Sequence, residues 1–211
     1  MVTDTAVPEI EQRTDFCLTD AGRVPLADHT LILLAPGPSF WPEFTQSGEW
    51  TSGCKDPIDT WSQRVITALA DDLNGEALFP FGGPPYQPFL TWALESGEAW
   101  QSPTGPLVHA RFGMMISYRG ALLLPGHLPQ RRAKNPCKTC KDKPCHTACP
   151  VGALAEAQAY DVPRCHDYLR DEAGKASCLS QGCLVRLSCP ISIGADRTVV
   201  QSAYHMSRFL P

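Results

Sequence analysis

The stretch C-K-T-C-K-D-K-P-C-H-T-A-C-P, Cys137 to Pro150, decides how this chain is read. It holds four cysteines, and four more follow at Cys165, Cys178, Cys183 and Cys189. Cys149 and Cys189 are each followed directly by proline. Free thiols at this density call for a chemical reason. Eight soft ligands closing in two Cys-Pro steps fit two [4Fe–4S] clusters, each needing four thiolates.

Cysteine has two other common uses. Disulfides belong mainly to secreted chains, many of them too small to build a core. Here the 43% hydrophobic content supplies a core, and the start, Met1 to Arg13, carries acids without an apolar run. A secretory leader is therefore not expected. Zinc is the stronger rival, because Cys137-x2-Cys140 is half of a zinc ribbon. Zinc leaves the Cys-Pro steps unexplained.

In two-cluster ferredoxins the cysteine before proline serves the other cluster. Applied here, that rule groups Cys137, Cys140, Cys145 and Cys189 around one cluster. Cys149, Cys165, Cys178 and Cys183 surround the other. The spacing departs from the usual pattern, since Cys140-x4-Cys145 and Cys183-x5-Cys189 are both long. A position that failed to ligate would leave a three-iron cluster. His146 and His166 are the nearby alternative ligands, although a histidine in a polar loop is more often simply solvated.

Around this stretch the composition is that of an ordinary globular protein, with 19% charged residues. The net charge of −4 argues against a nucleic-acid partner held through its phosphates, and it suits a basic redox partner. The longest apolar run, Leu31 to Ala35, is far too short to cross a bilayer. The expected location is the cytoplasm. Residues 1–129 hold all five tryptophans and only Cys17 and Cys54 among the cysteines. The polar, basic run from Gln130 to Pro136 reads as a linker. Two domains are expected, 1–129 and 130–211.

In the first, Thr30 to Ala35 reads as a buried strand ended by Pro36-Gly37-Pro38. Asp56-Pro57-Ile58-Asp59 opens a helix, with Asp56 as its cap and Pro57 at the first position. Ile58, Trp61, Val65, Leu69 and Leu73 form its apolar face, and Asn74-Gly75 stops it. A second helix is predicted over Phe89 to Glu98. Arg111 to Ser117 and Ala121 to Leu124 read as a hairpin around Tyr118-Arg119-Gly120. Strands mixed with helices imply an α+β fold. The second domain is predicted to be poor in strands, with short helices after Pro150, over Pro163 to Glu172 and over Thr198 to Phe209. Its folding is expected to depend on its metal.

Two resemblances follow from particular residues. The stretches Cys137 to Leu154, R-C-H-D-Y-L at 164–169 and G-C-L-V-R-L-S-C-P at 182–190 resemble the ferredoxin-like dicluster domain of epoxyqueuosine reductases and reductive dehalogenases. Those families pair their clusters with a corrinoid. H-A-R-F-G-M-M-I-S-Y-R-G-A-L-L-L-P-G, His109 to Gly126, resembles the cobalamin-processing family of the CblC type, as does Asp56-Pro57-Ile58-Asp59. That resemblance implies a flavin-reductase or nitroreductase-like α+β fold for the first domain. It makes His109, Arg111 and Arg119 candidates for lining a corrinoid (cobalamin) pocket. The family's Pro, Trp and Phe in this motif are Ala110, Met115 and Ile116 here, so rings that would stack on a macrocycle are missing.

The leading expectation is an iron–sulfur redox protein whose clusters feed a bound corrinoid. A ferredoxin-like carrier without corrinoid is the alternative. Reduction of a modified tRNA base is a third reading, disfavoured because no separate basic module is evident. Cys17 and Cys54 have no flanking cations beyond Lys55, so neither reads as a nucleophile.

Overall fold

The computed structural model describes residues 6–15 and 17–211; Met1 to Thr5, the first residues of the acidic start, and Phe16 lie outside them. The strands are β1 (Leu18–Leu26), β2 (His29–Pro36), β3 (Glu76–Leu78), β4 (Ala99–Gln101), β5 (Leu107–His109) and β6 (Gly120–Pro125). The α-helices are α1 (Ala6–Arg13), α2 (Phe40–Gln46), α3 (Gly48–Thr51), α4 (Pro57–Asp72), α5 (Phe89–Glu95), α6 (Val162–Arg170), α7 (Glu172–Gly174), α8 (Leu184–Ser188) and α9 (Val199–Phe209). This is the mixed α+β content expected. The chain forms two compact units: residues 1–99 with 117–133, and residues 100–116 with 134–211.

The first unit is built on an antiparallel sheet of order β1-β2-β6-β3. β2 occupies the predicted stretch and is buried on both faces. Ile32 and Leu34 pack with Leu122 and Leu124 against Phe40, Phe44, Trp61, Ile66 and Leu69. Leu31 and Leu33 are equally buried, and in a strand they point to the opposite face. That double burial is why the run is continuously apolar. α4 begins at Pro57 as predicted, but Asp56 makes no side-chain cap bond. The stop follows the expected chemistry: Asn74 takes φ +53°, and Gly75 N donates to Ala70 O at 2.8 Å. α5 ends at Glu95, three residues short of prediction, where Ser96 caps it and Gly97 turns with φ +75°.

The predicted hairpin does not form. β6 is a strand, but its partners are β2 and β3, and residues 111–117 run through turns instead. The apolar run Met114-Met115-Ile116 is buried there without a strand partner, and its carbonyls are satisfied by arginine side chains described below.

Sequence reasoning also missed β1, whose Asp20, Gly22, Arg23 and Pro25 hide its strand character. The ladder is irregular between Asp20 and Arg23. Asp20 is buried and accepts from Arg23 Nε and Arg131 Nη2, each at 2.7 Å, and from Gly22 N at 3.1 Å. Arg131 also binds Glu98 at 2.9 Å. Gln130 Nε2 donates to Glu95 O and Ala133 N to Gly97 O. Residues 130–133, read as linker, are thus fastened to the first unit.

A weaker ion pair offers a pH test in this unit. Glu49 accepts from Arg64 at 2.5 and 3.1 Å, and that bond holds its carboxyl at about 2, against an ordinary 4.5. A depressed folded pKa means that the stabilisation is present above about 4.5 and lost as pH falls toward 2. Arg64 is 58% exposed, so the pair contributes under about 1 kcal/mol. Urea unfolding across this pH range is expected to show a shallower stability slope in Glu49→Gln than in the parent. Identical slopes would remove the assignment.

The second unit carries the short ribbon β4-β5 and otherwise short helices and turns. α6 and α9 lie where predicted, and Thr198 caps α9 by accepting from Gln201 N. The helix predicted after Pro150 is absent; residues 150–154 form turns. The segment Trp100–Ile116 belongs to this unit because Val108 and Met114 pack with Cys145, Leu154 and Val185. Among the described residues no helix is long and apolar enough to cross a membrane.

Candidate metal centres

All ten cysteines are free thiols in this structure. Proline-led 3₁₀ turns position the first of the clustered ones. Asn135 caps the turn Pro136–Lys138 by accepting from Cys137 N at 2.9 Å. Lys143, at φ +40°, leads into the turn Pro144–His146, which buries Cys145. Cys189 is extended before Pro190, the conformation a following proline favours, and its carbonyl accepts from Ser192 N at 2.9 Å. These turns bring Cys137, Cys140, Cys145 and Cys189 around one cavity of about 190 Å³. Its other walls include Val108 and Met114. Burial pushes the Cys137 thiol up, and Cys189, Cys145 and Cys140 add to the rise. Burial raises Cys145 as well, while a hydrogen bond with Thr104 opposes it.

A second group forms from Cys149, Cys165, Cys178 and Cys183. Cys165 sits on α6, whose N-cap Asp161 accepts from Arg164 N. Cys178 is buried in a π-type turn, Lys175–Leu179, and Cys183 leads into α8 after Gly182 turns with φ +108°. Burial raises Cys178, and Cys183, Cys149 and Cys165 act on it in the same direction. Three of these sulfurs have hydrogen-bond donors. Ala153 N donates to Cys149 Sγ at 3.2 Å, the Leu184 backbone bonds Cys178, and the Tyr160 side chain bonds Cys165. Burial pushes Tyr160 far above the ordinary phenol range, which keeps it a donor.

Burial makes Cys137, Cys145, Cys165 and Cys178 hold their protons more tightly than an ordinary thiol until something replaces the proton. A metal does so, and its affinity therefore rises with pH. Among the described residues no three His, Cys, Asp or Glu side chains converge tightly enough to clasp a single ion.

Arg186, three residues beyond Cys183, is the feature sequence reasoning did not single out. It donates from Nε to Met114 O at 2.6 Å and from Nη2 to Ile116 O at 3.0 Å. Arg197 donates to Met115 O at 3.0 Å. Burial lowers the pKa of Arg186, while Cys183 and Tyr160 act to raise it. Arg186 lines one cavity with Cys183 and Tyr160, which places a guanidinium beside the second group. Arg186 lies within the stretch 182–190 whose resemblance is noted above, but nothing in that stretch marks it as a site residue, and Tyr160 falls outside every quoted motif.

The two histidines considered as ligands have other contacts. His146 Nδ1 lies 3.0 Å from Glu156 Oε2, and His166 packs edge-on against Phe209 at 4.7 Å.

The residues expected to line a corrinoid pocket fall in different units. His109 is buried in the second unit, where its Nδ1 accepts from Arg111 N at 3.0 Å and its ring lies against Phe112. Arg111 places its guanidinium 4.7 Å over Phe112. Arg119 is in the first unit and pairs with Asp59 at 3.3 Å. Cys17 is buried and its thiol is raised by that burial, the opposite of an activated nucleophile.

No protein-family model matches the chain. The methylamine utilization ferredoxin-type protein MauM of Paracoccus denitrificans (strain Pd 1222) is 32% identical over 108 residues. Those residues are 51% of this chain, which spans less than half, 43%, of that relative.

Proposed function

We propose that the chain is an iron–sulfur electron carrier holding two [4Fe–4S] clusters. One is held by Cys137, Cys140, Cys145 and Cys189, and the other by Cys149, Cys165, Cys178 and Cys183. The observation that supports this reading is the cavity that Cys137, Cys140, Cys145 and Cys189 line together, with Cys149, Cys165 and Cys183 near enough to Cys178 to act on its thiol. Similarity to a protein named ferredoxin-type points the same way. The donor sets fit the group. A cube of iron and sulfide takes one thiolate at each iron, so its four ligands ring a cavity. A zinc ion would instead draw four sulfurs to about 2.3 Å from one centre.

When bound, each cluster supplies a one-electron store. The chain's own residues set how readily that store fills. Hydrogen bonds to ligand sulfurs and nearby cations stabilise the added negative charge of the reduced state. Ala153, Leu184, Tyr160 and Arg186 all act on the second group, which favours electrons resting there. Thr104 and Lys143 act on the first. On the resemblances of their motifs, the first part takes a flavin-reductase-like fold and the second a ferredoxin-like one.

A bound corrinoid gains no comparable support. His109, Arg111 and Arg119 each already have a structural partner, and they do not belong to one unit. The carrier without corrinoid is therefore the preferred form.

Anaerobic reconstitution with iron and sulfide tests the proposal. About eight irons and eight sulfides per chain are expected, with visible absorbance that bleaches on reduction. Stoichiometric zinc with no sulfide would overturn it.

A further inference from the structure

The net charge of −4 conceals a division between the two units. The unit with the clustered cysteines has eleven Lys and Arg against seven Asp and Glu, whereas the other has seven against fifteen. Lys134, Lys138, Lys141 and Lys143 fall on the segment that supplies Cys137, Cys140 and Cys145, and all four are exposed. Asp142 is the one acid among residues 134–155. Lys143 lines the first cavity and acts on Cys137 to lower its pKa. A groove of about 340 Å³ also has Cys189 in its wall. It is edged by Arg197 and Asp196 and by Ile193 and Leu187, which are 88% and 43% exposed.

We infer that this face docks an acidic electron-transfer protein, with the Cys137, Cys140, Cys145 and Cys189 group as the port for electrons. The inference rests on the iron–sulfur reading above and names the partner's chemistry. It reverses the expectation drawn from total charge, because a partner meets the local field and not the sum. Lys143 at the cavity and Lys138, which lines a neighbouring hollow with Cys137, steer an anionic surface toward the port, and the exposed Ile193 and Leu187 supply apolar contact once it arrives. One electron then leaves the reduced protein and enters the partner's oxidised cofactor. Nucleic acid fits this face less well. Strand binders interleave cations with aromatic rings, and residues 130–159 contain no Phe, Tyr or Trp.

Stopped-flow oxidation of the reduced holoprotein tests the inference, with iron content measured first. The probes are a flavodoxin, which is acidic, and cytochrome c, which is basic. Reduction of flavodoxin is expected to slow roughly tenfold or more between low and high salt. The Lys138→Glu, Lys141→Glu double variant, with iron and absorbance unchanged, is expected to slow it about tenfold at low salt. Cytochrome c is expected to respond in the opposite sense. Flavodoxin rates that ignore both salt and charge reversal overturn the inference and leave the clusters standing. If the variant fails to load, the salt series on the parent decides alone. A parent without iron sinks the underlying function instead. Charge-dependent tRNA retardation, or dimers in sedimentation, would assign the face to nucleic acid or to a second copy and overturn it.

Discussion

Replacing Cys145 with alanine is expected to leave about half the iron and half the visible absorbance of the parent, with the remaining cluster still reducible. Cys145 is the most buried thiol of its group that the cavity exposes to a metal, at 7%. Solvent cannot readily supply a substitute ligand there, and His146 is turned toward Glu156. Its long spacing from Cys140 is one of the two departures from the usual pattern, so it is a discriminating position. Two independent groups predict loss of one cluster; a single shared centre predicts loss of all iron. Iron, sulfide and electron paramagnetic resonance of the reduced protein would separate these outcomes. Unchanged iron would remove Cys145 from the ligand set.

The second large effect belongs to the other unit. Asp20→Ala is expected to destabilise the fold by about 3–5 kcal/mol. Arg23 is 4% exposed and Asp20 equally buried, and the deletion leaves a buried guanidinium without its carboxylate. Arg131 keeps Glu98, so it loses only part of its pairing. Asp20→Asn preserves the shape and some hydrogen bonding, and is expected to cost less. Urea unfolding followed by tryptophan fluorescence reports on this unit, which contains four of the five tryptophans. A loss below about 1 kcal/mol would mean that the two arginines find water instead.

What sequence made legible tracks how local each cause is. β2, α4 and α9 were readable because burial, capping and stop signals all lie within the element. β1 was not, because its buried Asp20 and Arg23 are completed from far along the chain, by Arg131 and the Pro129 carbonyl, 111 and 106 positions away. The misread hairpin has the same origin. Residues 114–116 are apolar like a strand, yet their carbonyls bond Arg186 and Arg197, about seventy to eighty positions away. At the candidate site, the Cys-Pro rule supplied the expected grouping of the thiols. The donors to their sulfurs, Tyr160 above all, depend on tertiary placement and left no motif.

The arginine clasp on residues 114–116 bears on how the chain can be divided. A single cut before Lys134 would release the cysteines without Val108 and Met114, two walls of the first cavity. It would also leave Arg186 and Arg197 with no carbonyls to hold. The cysteine-rich half is therefore not a detachable cassette. During synthesis the segment Trp100–Ile116 leaves the ribosome first and must wait for residues still to be made.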